Sequence, residues 1–188
     1  MGTDKALLPF GGSTLAAHMV ARIRPWVDEV VISARVGQKG LPDVPVVFDT
    51  AIDGGPLPAL TGALPVLRHD HILVVAVDTP LLVPELIPML HDRMGDHEVS
   101  VPWVRGYPVM ALSVVSRTAV LRVAPMLSER SGLRDLLPLV RAEKVFDSEI
   151  RMIDPQLQSF LPCNTPDELL AIRGAGERAD EHGAVLGR

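Results

Sequence analysis

The stretch Ile72-Leu73-Val74-Val75-Ala76-Val77, followed at once by Asp78-Thr79-Pro80, decides the fold class. An unbroken apolar run of this length is typical of a strand buried on both faces of a parallel sheet. We therefore expect Asp78 at the carboxyl edge of that sheet, where open α/β folds bind their ligands. A carboxylate there can hold a hydrated Mg²⁺ against nucleotide phosphates, or it can simply cap the next helix or open a turn before Pro80.

Composition favours one globular domain with a sizeable core, since 47% of the 188 residues are apolar and 22% are charged. The net charge of −5 and the scattered basic residues exclude a basic face for nucleic acid. No apolar run is long enough for a membrane span, and no signal pattern opens the chain, so the sequence predicts a cytoplasmic protein. The single cysteine, Cys163, excludes an internal disulfide and is expected in the core rather than as a nucleophile.

Helical and strand patterns alternate along the chain, which predicts a three-layer, Rossmann-like α/β fold with a mostly parallel sheet. The first helix is expected to be capped by Ser13, and the helix beginning near Pro84 to break at Pro88. A domain over residues 1–173 and a disordered tail over 174–188 are expected. Strands are predicted at 30–32, 44–48, 72–77, 99–104, 109–115 and 144–146, and further helices after Gly54-Gly55-Pro56 and at 118–127, 133–140 and 166–172.

Four short motifs contain the candidate functional residues of this predicted fold. Each is weak alone, and Lys5 by itself is typical of a solvated terminal lysine. They are Met1-Gly2-Thr3-Asp4-Lys5, Asp49 before Asp53-Gly54-Gly55-Pro56-Leu57, Val77-Asp78-Thr79-Pro80, and Asn164-Thr165-Pro166-Asp167-Glu168-Leu169. As an ordered set from residue 1 to about 172, they resemble the molybdenum cofactor guanylyltransferases. The wider resemblance is to nucleotidyltransferases of the nucleotide-diphosphosugar transferase fold.

The resemblance implies a magnesium-dependent transfer of GMP from GTP to the terminal phosphate of molybdopterin or Mo-molybdopterin, with release of pyrophosphate. It implies that Gly2, Lys5 and Asp49 bind the nucleotide, that Asp78 holds Mg²⁺, and that Asn164 lies near the pterin substrate or the metal. Lys5 and Asp78 would be the catalytic residues. Elementary chemistry agrees, because phosphoryl transfer depends mainly on positioning and charge neutralisation and needs no histidine. We accordingly expect His69-Asp70-His71 to be a solvated loop rather than a metal site.

The sequence differs from the family pattern in two places, and each difference leads to a prediction. Relatives begin with a central strand that enters a Leu-Ala-Gly-Gly loop, whose backbone N–H groups hold the base and phosphates. This chain begins at Met1-Gly2, in the middle of that motif, so we expect a reading frame that starts further upstream or a fold repaired by another route. Without this central strand, the two strands near Val30 and Val74 would lack a partner between them.

The second departure is Ser33, where these enzymes usually carry an asparagine that contacts the nucleotide. The choice of base is therefore open. A related enzyme that uses CTP or another phosphorylated acceptor is one alternative. A catalytically inactive module that holds cofactor or docks onto molybdoenzymes or other cofactor-biosynthesis proteins is another.

The segment Ser128-Glu129-Arg130-Ser131-Gly132-Leu133-Arg134 allows two interpretations. Ser131 can cap the following helix while Arg130 points to solvent. Alternatively, the planar guanidinium of Arg130 or Arg134 binds the phosphate of the pterin. Trp103 and Tyr107 flank a nearby turn, where a role in the core or at its rim is favoured over stacking on a pterin.

Overall fold

The computed structural model describes residues 5–49, 55–128 and 130–163, and the helix predicted at 133–140 is a 3-10 helix, Leu133–Leu139. The strands are β1 (Pro9–Phe10), β2 (Ser13–Thr14), β3 (Ile32–Arg35), β4 (Val46–Asp49), β5 (His71–Val75), β6 (Val99–Val104), β7 (Tyr107–Pro108), β8 (Leu112–Ser116) and β9 (Ala142–Phe146). The α-helices are α1 (Leu15–Ile23), α2 (Pro56–Ala63), α3 (Leu86–Met94), α4 (Arg117–Val123) and α5 (Asp147–Ile150). In this part of the chain no helix is both long and apolar enough to cross a membrane.

Most strands point in the same direction. β3 and β4 form a parallel pair, and β6 and β9 form another. β8 lies between β5 and β6 and is antiparallel to both, so β5 and β6 share one direction. The predicted α/β class with a mostly parallel sheet is confirmed, with β8 and the short β7 antiparallel to β6.

Two apolar clusters cover opposite faces of the sheet. On one face Leu57, Leu60 and Leu64 of α2 pack with Ile72 of β5 and Val115 of β8. On the other face, apolar residues of α1 and α3 pack against the alternate residues of the same strands. This second cluster includes Met19 of α1, Leu86 and Leu90 of α3, and Leu112 and Val114 of β8. Because successive side chains of a strand point to opposite faces, this alternation produces the expected three layers.

The pairing of β5 differs from its prediction. The run that begins at Ile72 was expected to be buried within a parallel sheet, but β5 pairs antiparallel with β8 alone among the described strands. Only Ile72 of its five residues is buried, and Leu73, Val74 and Val75 are half-buried. The reason is that the second edge of β5 borders a groove, whose far side is the unpaired edge of β3. Among the described residues, β3 and β5 each have one open edge, in agreement with the expectation that the strands near Val30 and Val74 lack a partner between them, although the first of these strands begins at Ile32.

The ends of two helices also differ from their predictions. The N-cap of α1 is Thr14 rather than Ser13, because the Thr14 hydroxyl accepts a hydrogen bond from the Ala17 N–H at 3.2 Å. Helix α3 continues through Pro88 because this proline is its third residue. The N–H groups of a first helical turn have no partner within the helix, so a proline there removes no bond.

The Thr14 cap can be tested against its neighbour. Thr14→Ala should lower the free energy of unfolding by about 1 kcal/mol, because one N–H of the first turn loses its partner. Ser13→Ala is the matched control, since Ser13 is exposed and should have little effect. Urea denaturation of both variants measures the difference. Equal losses would contradict the assignment of the cap.

Candidate active site

Asp78 lies just beyond the carboxyl end of β5, separated from it by Ala76 and Val77. Its backbone is held from two directions. The Cys163 N–H donates to the Asp78 carbonyl oxygen at 2.6 Å, and the Thr79 hydroxyl donates to the Ala76 carbonyl oxygen at 3.1 Å. Cys163 itself is buried, as predicted. The position predicted for Asp78 at the edge of the sheet is therefore confirmed, on a turn fixed by hydrogen bonds.

Lys5 reaches Asp78 across 73 positions of sequence. Its ammonium nitrogen lies 3.2 Å from Oδ2 of Asp78, and the two side chains are 43% and 24% exposed. Lys5 opens a 3-10 turn, Lys5–Leu7, which the buried Ala6 fixes to the body of the protein. A half-exposed ion pair contributes at most about 1 kcal/mol to stability. The pair therefore matters mainly because it places two opposite charges at the carboxyl edge of the sheet.

His18 of α1 adjoins this turn, and the sequence analysis did not identify it. Its Nε2 donates to the Pro80 carbonyl oxygen at 3.1 Å, and its ring packs edge-on against Phe10 at 4.4 Å between centroids. Desolvation by burial lowers the pKa of His18, opposed by the hydrogen bond to Pro80 and assisted by the positive charge of Arg22. His18 thus supports the Asp78 turn as a neutral ring. No local motif marks it, because its partner is 62 residues away.

The other predicted nucleotide-binding residues lie on the neighbouring parallel pair. Asp49 is the last residue of β4, and its backbone is in register with Arg35 at the end of β3. Ser33 is exposed, lies in the interior of β3, and borders the groove beside β5. Asp49 is therefore at a strand end like Asp78, whereas Ser33 is set back from the edge. Gly2 and Asn164 lie outside the described residues, and Asn164 directly follows Cys163 in the chain.

Arg130 is exposed in a turn that packs against the start of α2. A Cβ atom on Gly55 would lie 3.0 Å from the Ser131 carbonyl oxygen and 3.7 Å from that of Arg130, so the glycine permits this close approach. Ser131 is not a helix cap, since its hydroxyl accepts from the Ser128 N–H at 3.2 Å. The Asp135 carboxylate instead accepts from the Gly132 N–H at 2.8 Å. The contact at Gly55 was missed because only its turn-forming role is visible in the sequence.

Aromatic and histidine residues outside this edge have local partners. The Lys144 ammonium lies 4.3 Å from the ring centroid of the half-buried Trp103, and Tyr107 is exposed. His71 Nδ1 lies 2.9 Å from His91 Nε2. Within the described ranges, no three His, Cys, Asp or Glu side chains are grouped as a metal site requires. His69 and Asp70 precede β5, His71 is its first residue, and all three are exposed.

A mostly parallel α/β sheet with a lysine and an aspartate paired at its carboxyl edge is typical of enzymes that bind nucleotide phosphates. Comparison with known proteins defines the class further. The family model of the MobA-like NTP transferase domain matches residues 1–145. The chain belongs to this family, and it is a nucleotidyltransferase.

Similar proteins agree with this assignment. The molybdenum cofactor guanylyltransferase of Pseudomonas entomophila is 34% identical over 180 residues, covering 90% of this chain and 88% of that protein. A probable molybdenum cofactor guanylyltransferase of Pelotomaculum thermopropionicum is 29% identical, covering 95% and 88%. The crystal structure of molybdopterin-guanine dinucleotide biosynthesis protein A from Archaeoglobus fulgidus has a TM-score of 0.76 at 20% identity, covering 94% and 92%, which supports the fold.

The lowered pKa of His18 predicts a pH dependence of stability. The pKa of His18 is about 6.5 in the unfolded chain and lower in the folded protein. Between these two pKa values, His18 therefore binds more protons in the unfolded state than in the folded state. The stabilisation is complete above the unfolded value and is lost as pH falls toward the folded one. Urea denaturation measures the free energy of unfolding at about pH 7.5 and about pH 5.5. Between these two values it should fall less for His18→Gln than for the unaltered protein. His69→Gln, at an exposed position, is the control and should not change the loss.

Proposed function

We propose that this nucleotidyltransferase transfers GMP from GTP to molybdopterin or Mo-molybdopterin and releases pyrophosphate. The names of the curated relatives, one of them 34% identical over most of the chain, support this donor and acceptor. The structural observation that carries the proposal is the 3.2 Å contact between Lys5 and Asp78 at the ligand-binding edge. It brings together a lysine ammonium, which is suited to bind phosphates, and a carboxylate, which is suited to hold a metal.

The residues fit Mg²⁺ as the cofactor. Mg²⁺ in nucleotide sites is usually held by one or two carboxylates together with substrate phosphates and water. Asp78 supplies one partly exposed carboxylate beside a cation, so a single protein ligand agrees with this chemistry. When bound, the metal would neutralise charge on the phosphates. The Lys5–Asp78 contact would then open, with the ammonium turning to the phosphates and the carboxylate to the metal.

The proposed reaction is a displacement at the α-phosphorus of GTP. An oxygen of the acceptor phosphate forms a bond to that phosphorus, the bond to the β-phosphate bridging oxygen breaks, and pyrophosphate leaves with the electron pair. A phosphate oxygen is already anionic, so no general base is needed, and the task of Lys5 is to stabilise negative charge on the phosphates. Gly2, Ser33 and Asp49 would contact the donor nucleotide.

Arg130 and Asn164 would contact the acceptor. Arg130 lies beside Gly55 at the start of α2. Asn164 follows Cys163, whose N–H donates a hydrogen bond to the Asp78 carbonyl oxygen.

Product analysis tests the whole proposal. Protein is incubated with Mg²⁺, molybdopterin and one of GTP, CTP or ATP, and the dinucleotide and pyrophosphate are measured. Formation of a guanine dinucleotide is expected, and preference for CTP or absence of any product would contradict the proposal.

Asp78→Asn keeps the shape of the side chain but removes its charge. We expect turnover at limiting Mg²⁺ to fall on the order of 100-fold, the usual effect of losing one strong charge-stabilising group. Asp70→Asn is the matched control, because Asp70 is an exposed aspartate that precedes the amino end of β5. Near-normal turnover in Asp78→Asn would show that the carboxylate does not hold the metal.

Lys5→Ala should weaken GTP binding roughly ten-fold, because a charge-assisted hydrogen bond contributes about 1.5 kcal/mol or more. The melting temperature should change little, since the ion pair is partly exposed. Lys39→Ala removes the same charge at an exposed position and serves as the control. Titration calorimetry with GTP and Mg²⁺ measures the affinities, and equal values for Lys5→Ala and the unaltered protein would exclude this role.

A further inference from the structure

Two exposed histidines meet at the amino end of β5, although 20 positions of sequence separate them. Nδ1 of His71 lies 2.9 Å from Nε2 of His91, with the ring centroids 5.0 Å apart and the ring planes inclined by 58°. A neutral imidazole has one nitrogen that donates and one that accepts, so the two rings can form one hydrogen bond. The same two nitrogens, each with its lone pair available, can instead be ligands of a metal cation.

Regular structure holds both histidines in place. His71 is the first residue of β5, and His91 belongs to α3. The segment that leads to His71 is fixed by Arg117, whose N–H donates to the Asp70 carbonyl oxygen at 2.7 Å and whose guanidinium donates to the Leu67 carbonyl oxygen. A site built on helices and strands loses little conformational freedom when it takes up an ion. The histidine pair is therefore already assembled for a ligand.

The distance between the two nitrogens is close to that of a tetrahedral zinc site. Imidazole nitrogens bound to zinc at about 2.05 Å and at the tetrahedral angle are about 3.3 Å apart. The nitrogens of His71 and His91 would need to separate by only about 0.4 Å, which a small rotation of two exposed rings supplies. Nδ1 of His91 also lies 3.8 Å from the Asp92 carboxylate. Because a carboxylate at the second nitrogen of a metal-bound histidine orients the ring, Asp92 suits that role.

The donor atoms determine the class of cation. Imidazole nitrogen suits zinc and similar transition metals, whereas Mg²⁺ takes oxygen ligands. A site closed wholly by protein would need three or four ligating side chains, and the described residues contain no such group. The site at the histidine pair is therefore open, with water as the other ligands. It lies at the opposite end of β5 from Asp78, so a Zn²⁺ here and the Mg²⁺ proposed for Asp78 would share no ligand.

We propose that His71 and His91 together bind one Zn²⁺ ion, with water in its remaining coordination positions. The ion replaces the hydrogen bond between the rings, and the ring that donated this bond moves its proton to its other nitrogen through solvent. Bound Zn²⁺ links the start of β5 to α3, which packs on the sheet through Leu86 and Leu90. The ion therefore stabilises the attachment of α3 to the sheet, at the end of β5 opposite the candidate active site.

Titration of the full chain with Zn²⁺ tests this proposal. Competition with a chromophoric chelator, in a large excess of Mg²⁺, measures the Zn²⁺ affinity, and one saturable site is expected. His71→Gln and His91→Gln should each weaken binding roughly ten-fold or more, because either change leaves a single imidazole that cannot chelate. The double variant should therefore bind little more weakly than either single variant. His69→Gln removes an exposed histidine two residues before His71 and is the matched control, which should leave the affinity unchanged.

Thermal unfolding provides a second measurement. An ion that binds only the folded protein raises the melting temperature. At a concentration that just saturates the unaltered protein, Zn²⁺ should raise the melting temperature of that protein and of His69→Gln, but not that of His71→Gln or His91→Gln. Circular dichroism without Zn²⁺ checks that all variants fold. Absence of a saturable site, an unchanged affinity in His71→Gln or His91→Gln, or an equal loss in His69→Gln would each overturn the proposal and leave the pair as a hydrogen bond only.

Discussion

The antiparallel ladder between β5 and β8 is the constraint on which the site depends. Five residues of β5 are in register with β8, from His71 opposite Ser116 to Val75 opposite Leu112. β8 in turn pairs with β6, so the direction of β5 is tied to the middle of the sheet. Because Asp78 follows β5 by only three residues, this ladder sets where the carboxylate leaves the sheet. The hydrogen bond from Cys163 then fixes the turn itself.

The Lys5–Asp78 pair illustrates how a weak interaction can suit a binding site. A buried ion pair would be costly to separate, because each charge would remain desolvated without its partner. This pair is partly exposed, so water can replace either partner at little cost. Two opposite charges are thus kept in place without strong mutual stabilisation. In the proposed reaction, this arrangement would let Lys5 turn to the phosphates and Asp78 to the metal.

The sequence predicted the features that depend on local chemistry. The apolar run at Ile72 ends where Asp78 emerges, because hydrophobic residues must stop where a strand leaves the core. The one-sided pairing of β5 was expected only from the resemblance to the family, since periodicity reports side-chain burial and carries no information about which edge is bonded. The sequence also could not predict that Thr14 rather than Ser13 is the N-cap of α1, because both residue types cap helices well. The role of His18 depends on Pro80, which only the tertiary fold brings near.

The open groove and the candidate site share two elements of structure. β5 borders the groove and leads to Asp78, while α1 lines the groove with Met19 and carries His18, which bonds the Pro80 carbonyl oxygen. A strand bonded on one edge has fewer interactions that resist local opening than a strand bonded on both. Additional pairing of β5 would therefore restrict the motion of Asp78. Because positioning dominates phosphoryl transfer, filling an apolar groove can influence catalysis without contributing any reactive group.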